Sequence, residues 1–165
     1  MDRISKENYY LDIAQTVAER STCMRKKYGA IIVKNDVIIS TGYNGSPRGR
    51  MNCNELQFCM REKLCIPSGE RYELCRSVHA EANAIIAAPR DQMLGATLYM
   101  ACVDPRTEKL VSGCDSCMMC KRQLINAGIA YVVIRDDKES FRVIDVNEWI
   151  ENDDSIPAEF SFLKK

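Results

Sequence analysis

The chain lacks an excess of either charge: 23 Lys plus Arg face 23 Asp plus Glu, for a formal net charge of zero. Without a field to gather phosphate backbones or anionic headgroups, nucleic acid and membrane surfaces are disfavoured as partners, and a small, locally recognised ligand is favoured. Long apolar runs are missing as well. Nothing approaches the roughly 18 consecutive apolar residues of a spanning helix. The opening Met1-Asp2-Arg3-Ile4-Ser5-Lys6 is charged where a secretory leader turns apolar. These absences lead us to expect a cytoplasmic chain. There is no internal repeat and no low-complexity tract. A length of 165 residues with 46% hydrophobic content suits a single domain, 1–165, with a sizeable core.

Histidine is the scarcest residue of chemical interest, with only His79 present, whereas cysteine is plentiful at nine. Disulfides are disfavoured in a reducing compartment, and the count is odd. The cysteines therefore read as metal ligands or small buried hydrophobes.

Ser5 is a favourable cap before Tyr10, Ile13, Ala14 and Val17, which recur at helical spacing and predict a first helix to about Arg20. Two apolar runs, Tyr28 to Val33 and Val37 to Thr41, flank Lys34-Asn35-Asp36 and read as a hairpin. Residues 44 to 77 hold Gly45, Pro47, Gly49, Pro67 and Gly69 with four cysteines, too long for an ordinary connection and in need of something to order it. A second helix is expected from near Ser77 to before Pro89, a strand from Ala96 to Ala101, and a third helix from near Ser116 to Gly128. Ile129 to Ile134 reads as a strand covered on both faces, so strand, helix and strand imply a parallel crossover. A short strand, Phe141 to Val146, and a helical turn around Trp149 follow.

His79 opens the run His79-Ala80-Glu81, and Cys117-x-x-Cys120 follows at the start of the third helix. One nitrogen and two sulfurs fill three positions around a zinc ion and leave the fourth to water, while Glu81 is placed to carry protons. Three residues apart, Cys117 and Cys120 share a helix face near its positive end, which favours thiolates. Cys114-x-x-Cys117 has the same spacing, but only the later pair lies inside the helical pattern. His79 and Glu81 would point about 200 degrees apart on a regular helix. Both can reach one pocket only if His79 sits at the helix's very beginning, with Ser77 as a suitable cap. Taken singly, a Cys-x-x-Cys can be a structural knuckle or half a redox motif, and a lone histidine can be a cap. Together they favour catalysis.

With these residues placed, the chain resembles deoxycytidylate deaminases of the cytidine deaminase-like superfamily. The likeness rests on Arg20-Ser21 through Gly29-Ala30, on Gly42-Tyr43-Asn44-Gly45-Ser46-Pro47-Arg48-Gly49, on His79 to Ile85, and on the helix from Cys117 to Gly128. The His-x-Glu and Cys-x-x-Cys elements are a known signature of zinc deaminases. The Gly-Tyr-Asn-Gly-x-Pro segment points more particularly to the dCMP branch. The resemblance implies an α/β fold, a three-layer α/β/α sandwich with a five-stranded mixed sheet. It further implies hydrolysis of dCMP to dUMP and ammonia in dTMP precursor supply, and a homo-oligomer, with a hexamer favoured.

Carried onto this sequence, the resemblance makes His79, Cys117 and Cys120 the catalytic zinc ligands and Glu81 the proton shuttle. It places Asn44 at the sugar and Ala80 in the substrate pocket. Arg20, Ser21 and Arg25 are candidates for the phosphate, because a nearly dianionic group needs charge-assisted donors and Lys26 and Lys27 adjoin; the alternative is a solvated helix end. Regulation of relatives by dCTP and dTTP implies an effector site at Tyr43, Gly45, Arg48 and Arg50, with Mg2+ accompanying a triphosphate. Two departures from the family pattern concern the pocket rim. Ser116 stands where a proline normally precedes the first cysteine ligand, and the loop from Cys102 to Asp115 is longer than expected.

Cys53, Cys59, Cys65 and Cys75 fall in the long segment, and Cys23 precedes the first strand. Four thiolates make a closed structural zinc site. The resemblance favours Cys23, Cys53, Cys59 and Cys75 for it. The competing functions are a sister deaminase for another nucleoside, nucleotide or tRNA base, and a non-catalytic assembly protein held together by zinc. A pI near 6.6 speaks against the tRNA substrate.

Overall fold

A computed structural model describes residues 2–163. The Ser5 hydroxyl accepts from the Asn8 amide at 3.2 Å and starts α1, Lys6–Ala18. The helix stops two residues before the expected Arg20 because Glu19 and Arg20 turn their amides back to Thr16 and Val17, tightening the last turn. β1 (Lys27–Lys34) and β2 (Val37–Tyr43) form the expected hairpin. Its connection is Asn35-Asp36, with φ of 49° and 61°, the left-handed backbone that suits Asn and Asp in a two-residue hairpin turn.

The long segment is ordered by two single turns, α2 (Cys53–Leu56) and α3 (Met60–Lys63), and a 3-10 turn at Tyr72–Leu74. Beyond it come α4 (Ala80–Ile86), α5 (Arg90–Met93), β3 (Thr97–Val103), α6 (Met118–Ala127), β4 (Tyr131–Arg135), β5 (Phe141–Asp145) and α7 (Val146–Glu151). Gly128 ends α6 in the left-handed conformation, φ 80°, as its position predicts. The second helix begins at Ala80 and not near Ser77, because His79 itself takes the cap position.

The five strands form one mixed sheet in the order β2-β1-β3-β4-β5. Only β3 and β4 run parallel, joined through α6 as the crossover requires. Alternating side chains divide the core into two layers. Ile31 and Val33 of β1, Tyr99 and Ala101 of β3 and Val133 of β4 pack on Tyr10, Leu11 and Ala14 of α1. Ala30, Ile32, Leu98, Met100, Val132 and Ile134 face Ala80 and Ala84 of α4 and Leu124 of α6. The result is helix, sheet, helices, with α4 and α6 lying on the same face of the sheet. No helix among the described residues is long and apolar enough to cross a membrane.

Candidate metal centre and substrate cavity

α4 and α6 meet with their first turns together, and the backbone entering each is extended. His79, the cap of α4, has φ −70° and ψ 157°; Cys117, the cap of α6, has φ −68° and ψ 162°. His79 thus lies outside the helical spiral, which removes the 200-degree conflict with Glu81. Its Nδ1 is 3.3 Å from Cys120 Sγ and 3.5 Å from Cys117 Sγ. All three donor atoms lie within 4.8 Å of one another, and no other three His, Cys, Asp or Glu donors among the described residues come so close. A tetrahedral zinc with ordinary bond lengths sets nitrogen and sulfur ligands roughly 3.6 Å apart. The three residues therefore fit the ion. Cys114, the alternative partner of Cys117, is instead buried in the core, with its thiol hydrogen-bonded to Cys102 and Tyr28.

Burial lowers the His79 imidazole, but hydrogen bonds with the Cys117 and Cys75 thiols and the charge of Glu81 outweigh it and push the ring up to about 10. Cys117 is pulled down, first by its hydrogen bond with Cys120 and also by His79; Cys120 is driven up by the same pairing and by burial. Glu81 is only 4% exposed, and burial raises its carboxyl above the usual range. Its own backbone amide, the His79 charge and the Ser116 hydroxyl all pull against that rise.

His79, Glu81 and Cys117 line a cavity of about 350 Å3 together with Ala80 and Asn44. Asn44 is fixed from several directions. Its Oδ1 accepts from Ser21 Oγ at 2.6 Å and the Tyr28 amide at 2.8 Å, while Nδ2 donates to the Lys26 carbonyl at 2.9 Å. One amide hydrogen is left for a ligand. Gly45 pairs with Val78 through both backbone bonds, tying this loop to the residue before His79.

The expected phosphate residues separate. Arg25 lines the cavity, with Nε 3.2 Å from Glu62 Oε1 and a buried Nη1 that has no hydrogen-bond partner among the described residues. Ser21 is spent on Asn44 and the Cys23 amide, and Arg20 is exposed away from the cavity. In this structure Ser21 holds Asn44, and Arg20 lies exposed just beyond α1. Tyr43, Arg48 and Arg50 are exposed and also outside the cavity.

Cys23, Cys53, Cys59 and Cys75 share a wall of the cavity without drawing together into a ligating group. Cys53 is pushed up mainly by burial, with Cys23 and Cys75 adding to the rise. Cys65 is exposed. The Cys75 thiol is lowered by the nearby His79 ring against the opposing effect of burial.

Arg61, Tyr72 and Arg76 are among the cavity residues that the sequence pattern does not mark. Arg76 donates Nη2 to the Met51 carbonyl at 3.0 Å and keeps a buried Nε without a hydrogen-bond partner among the described residues. A basic residue three positions before the only histidine was the signal for it. Arg61 and Tyr72 come from the long segment, where the sole signal was an aromatic residue in a stretch poor in apolar ones.

Comparison with known proteins agrees with this geometry. Residues 4–135 match the family model described as the cytidine and deoxycytidylate deaminase zinc-binding region. The deoxycytidylate deaminase of Mycobacterium phage D29 is 35% identical over 138 residues, covering 81% of this chain and 96% of the phage protein. That of Schizosaccharomyces pombe is 34% identical over 79% of this chain, which spans only 37% of the yeast protein's length. Among solved structures, dCMP deaminase from the cyanophage S-TIM5 in complex with dCMP and dUMP aligns with a TM-score of 0.52 and 26% identity. The match covers 82% of this chain and 85% of that one. With the zinc-ligand geometry, the buried carboxylate and the five-stranded sheet in place, the chain belongs to the cytidine and deoxycytidylate deaminase family.

Proposed function

We propose that this chain hydrolyses dCMP to dUMP and ammonia, with His79, Cys117 and Cys120 holding a zinc ion and Glu81 moving protons. The observation that carries the nucleotide, as opposed to a nucleoside, is that the cavity containing Glu81 also contains the buried, partnerless guanidinium atoms Arg25 Nη1 and Arg76 Nε. Buried N–H groups without acceptors are costly in a finished site, and a phosphate supplies the missing oxygens. The relatives named deoxycytidylate deaminases support the same substrate.

A bound zinc would lower the pKa of a water beside it from about 15.7 toward about 7. The protein's own contribution is proton handling and orientation. The Glu81 carboxylate accepts a proton from the attacking water and delivers it to the ring nitrogen beside the reacting carbon. It then takes up the proton of the newly added hydroxyl and passes it to the departing amine, so that the carbon–nitrogen bond breaks as the keto group forms. Burial serves this cycle by raising the carboxyl's proton affinity above that of a solvated carboxylate. Asn44, locked by Ser21 and Tyr28, offers its free amide hydrogen to the sugar. Arg25 and Arg76 take the phosphate.

The same reading treats residues 1–165 as one cytoplasmic, homo-oligomeric deaminase unit. It extends to a regulatory triphosphate with Mg2+ at the exposed turn carrying Arg48 and Arg50, beside Tyr43 and Gly45. It also extends to a second, structural zinc at Cys23, Cys53, Cys59 and Cys75, supported by their common wall. Turnover of cytidine, deoxycytidine and dCMP, followed by ultraviolet absorbance, tests the main claim. dCMP should be preferred by orders of magnitude, and Arg76→Met should erase most of that preference by raising KM for dCMP alone. Equal turnover of deoxycytidine and dCMP would defeat the nucleotide assignment.

A further inference from the structure

The long segment reaches the metal centre through a residue that the chemistry above leaves unused. The ring centroid of Tyr72 lies 5.0 Å from that of His79, with 89° between the planes, an edge-to-face contact. The guanidinium carbon of Arg61 sits 4.4 Å from the Tyr72 centroid, over the ring. Arg61 is itself only 5% exposed and donates Nη2 to the carbonyls of Pro67 and Glu70 at 2.8 and 2.6 Å. It therefore closes the loop between α3 and Tyr72 on itself, and the flat charge it presents is stacked on the tyrosine.

A metal-binding imidazole is ordinarily oriented by its second nitrogen, which donates to a carboxylate or a backbone carbonyl. No such oxygen bonds the His79 ring among the described residues; its polar neighbours are the cysteine thiols. The ring's orientation must then come largely from what packs against it, and Tyr72 is the aromatic residue in that place.

We propose that Tyr72 is a positioning residue for His79, held in place by Arg61, so that the cysteine-rich segment is a working part of the metal centre. The inference rests on the zinc reading above, and the test separates the two. Zinc release from the full chain into a chromogenic chelator measures ligand orientation independently of turnover. Tyr72→Leu should weaken zinc binding about 10- to 100-fold, the range for losing an outer partner of a ligand. Tyr72→Phe, which keeps the ring, should stay within about twofold of the parent. Arg61→Met should weaken binding less than Tyr72→Leu does, and the double variant should be no worse than Tyr72→Leu, because Arg61 acts through the tyrosine.

His79 is the only histidine, so its imidazole protons give an unambiguous NMR signature. Cross-relaxation with the Tyr72 ring protons is expected in the parent, and in the Phe variant with the Phe ring protons. A purely structural role for Tyr72 would not require that contact. A parent protein that takes up no zinc defeats the site reading. A parent that takes up zinc, with a folded Tyr72→Leu variant equally tight, overturns this inference. If the leucine variant does not fold, absence of the ring-to-ring signal in the parent overturns it instead.

Discussion

Gly42 lies so close to Ala80 that a Cβ on the glycine would stand 2.3 Å from the Ala80 carbonyl oxygen and 2.4 Å from the Ala84 amide. β2 therefore touches α4 backbone to backbone, and two residues away Ser40 Oγ donates to the Ala84 carbonyl at 2.8 Å. This contact sets the height of α4 above the sheet, and with it His79 and Glu81. Gly42→Ala must push the helix outward, since every close atom is backbone. The expected cost is about 1–3 kcal/mol of stability, as for other overpacked sites. Because a 1 Å misplacement can cost 10²-fold in rate, kcat should fall by more than the stability loss implies. Denaturant unfolding and steady-state kinetics on the same preparation check both.

Glu81→Gln removes the proton carrier while keeping the side chain's shape. The variant should fold, bind one zinc at the His79 site, and lose about 10²- to 10⁴-fold in kcat. The parent's pH profile carries a second mark. Burial raises the Glu81 carboxyl, and only the ionised form accepts a proton, so activity should fall on acidification at a pH above the ordinary carboxylate value of 4.5. The stability sign is opposite to that of a paired surface carboxylate. A raised folded pKa means the charge is a burden above it, so Gln should cost no stability at neutral pH. Retained ammonia release by a folded variant would end the proposed role.

Legibility in the sequence followed the range of the interactions involved. Local chemistry was readable: Ser5 as a cap, Asn35-Asp36 as a turn, Gly128 as a helix stop, and alternating apolar residues as a two-sided sheet. The clustering of His79 with Cys117 and Cys120 was readable because scarcity did the sorting, with one histidine and two suitably spaced cysteines. The backbone condition on His79 follows from helical geometry, although His79 and not Ser77 makes the cap. Long-range placement was not readable. Nothing in the spacing of Arg20, Ser21 and Arg25 shows that only the last faces the cavity, or that Ser21 is consumed by Asn44. Arg61, Tyr72 and Arg76 arrive through a segment whose path is set by turns and carbonyl contacts, with no periodicity for a pattern to reveal.

Zinc stoichiometry separates the two metal expectations. His79, Cys117 and Cys120 already stand at ligand spacing, whereas Cys23, Cys53, Cys59 and Cys75 must close in around an ion. Elemental analysis of protein purified without chelator should find two zinc ions per chain if that closure occurs, and Cys53→Ser should bring the count to one while lowering the melting temperature. One zinc per chain at full activity would leave the four cysteines as wall residues.

Asp136, just after β4, ties down the loop that leads to Cys117. Its Oδ1 accepts from the Gly113 amide at 2.8 Å, and its Oδ2 accepts from Arg142 Nε at 2.7 Å. Arg142 in turn donates to the Cys114 carbonyl. One carboxylate and one guanidinium thus pin residues 113 and 114, just ahead of the cap of α6. The Arg142 guanidinium holds the Asp136 carboxyl below its ordinary value of 3.8 against the opposing effect of burial, and the Gly113 amide helps. A folded pKa below the unfolded one stabilises the protein fully above 3.8, and the benefit disappears as pH drops through the lower, folded value. Asp136→Asn should therefore cost about 1–3 kcal/mol near neutrality, the penalty for leaving charged and amide donors poorly matched. The gap between variant and parent should narrow steadily below about pH 4, since protonation of the parent's carboxyl removes the same interaction. Unfolding followed at a series of pH values measures that gap; a constant difference down to pH 2 would show that the charge of Asp136 does not hold the loop.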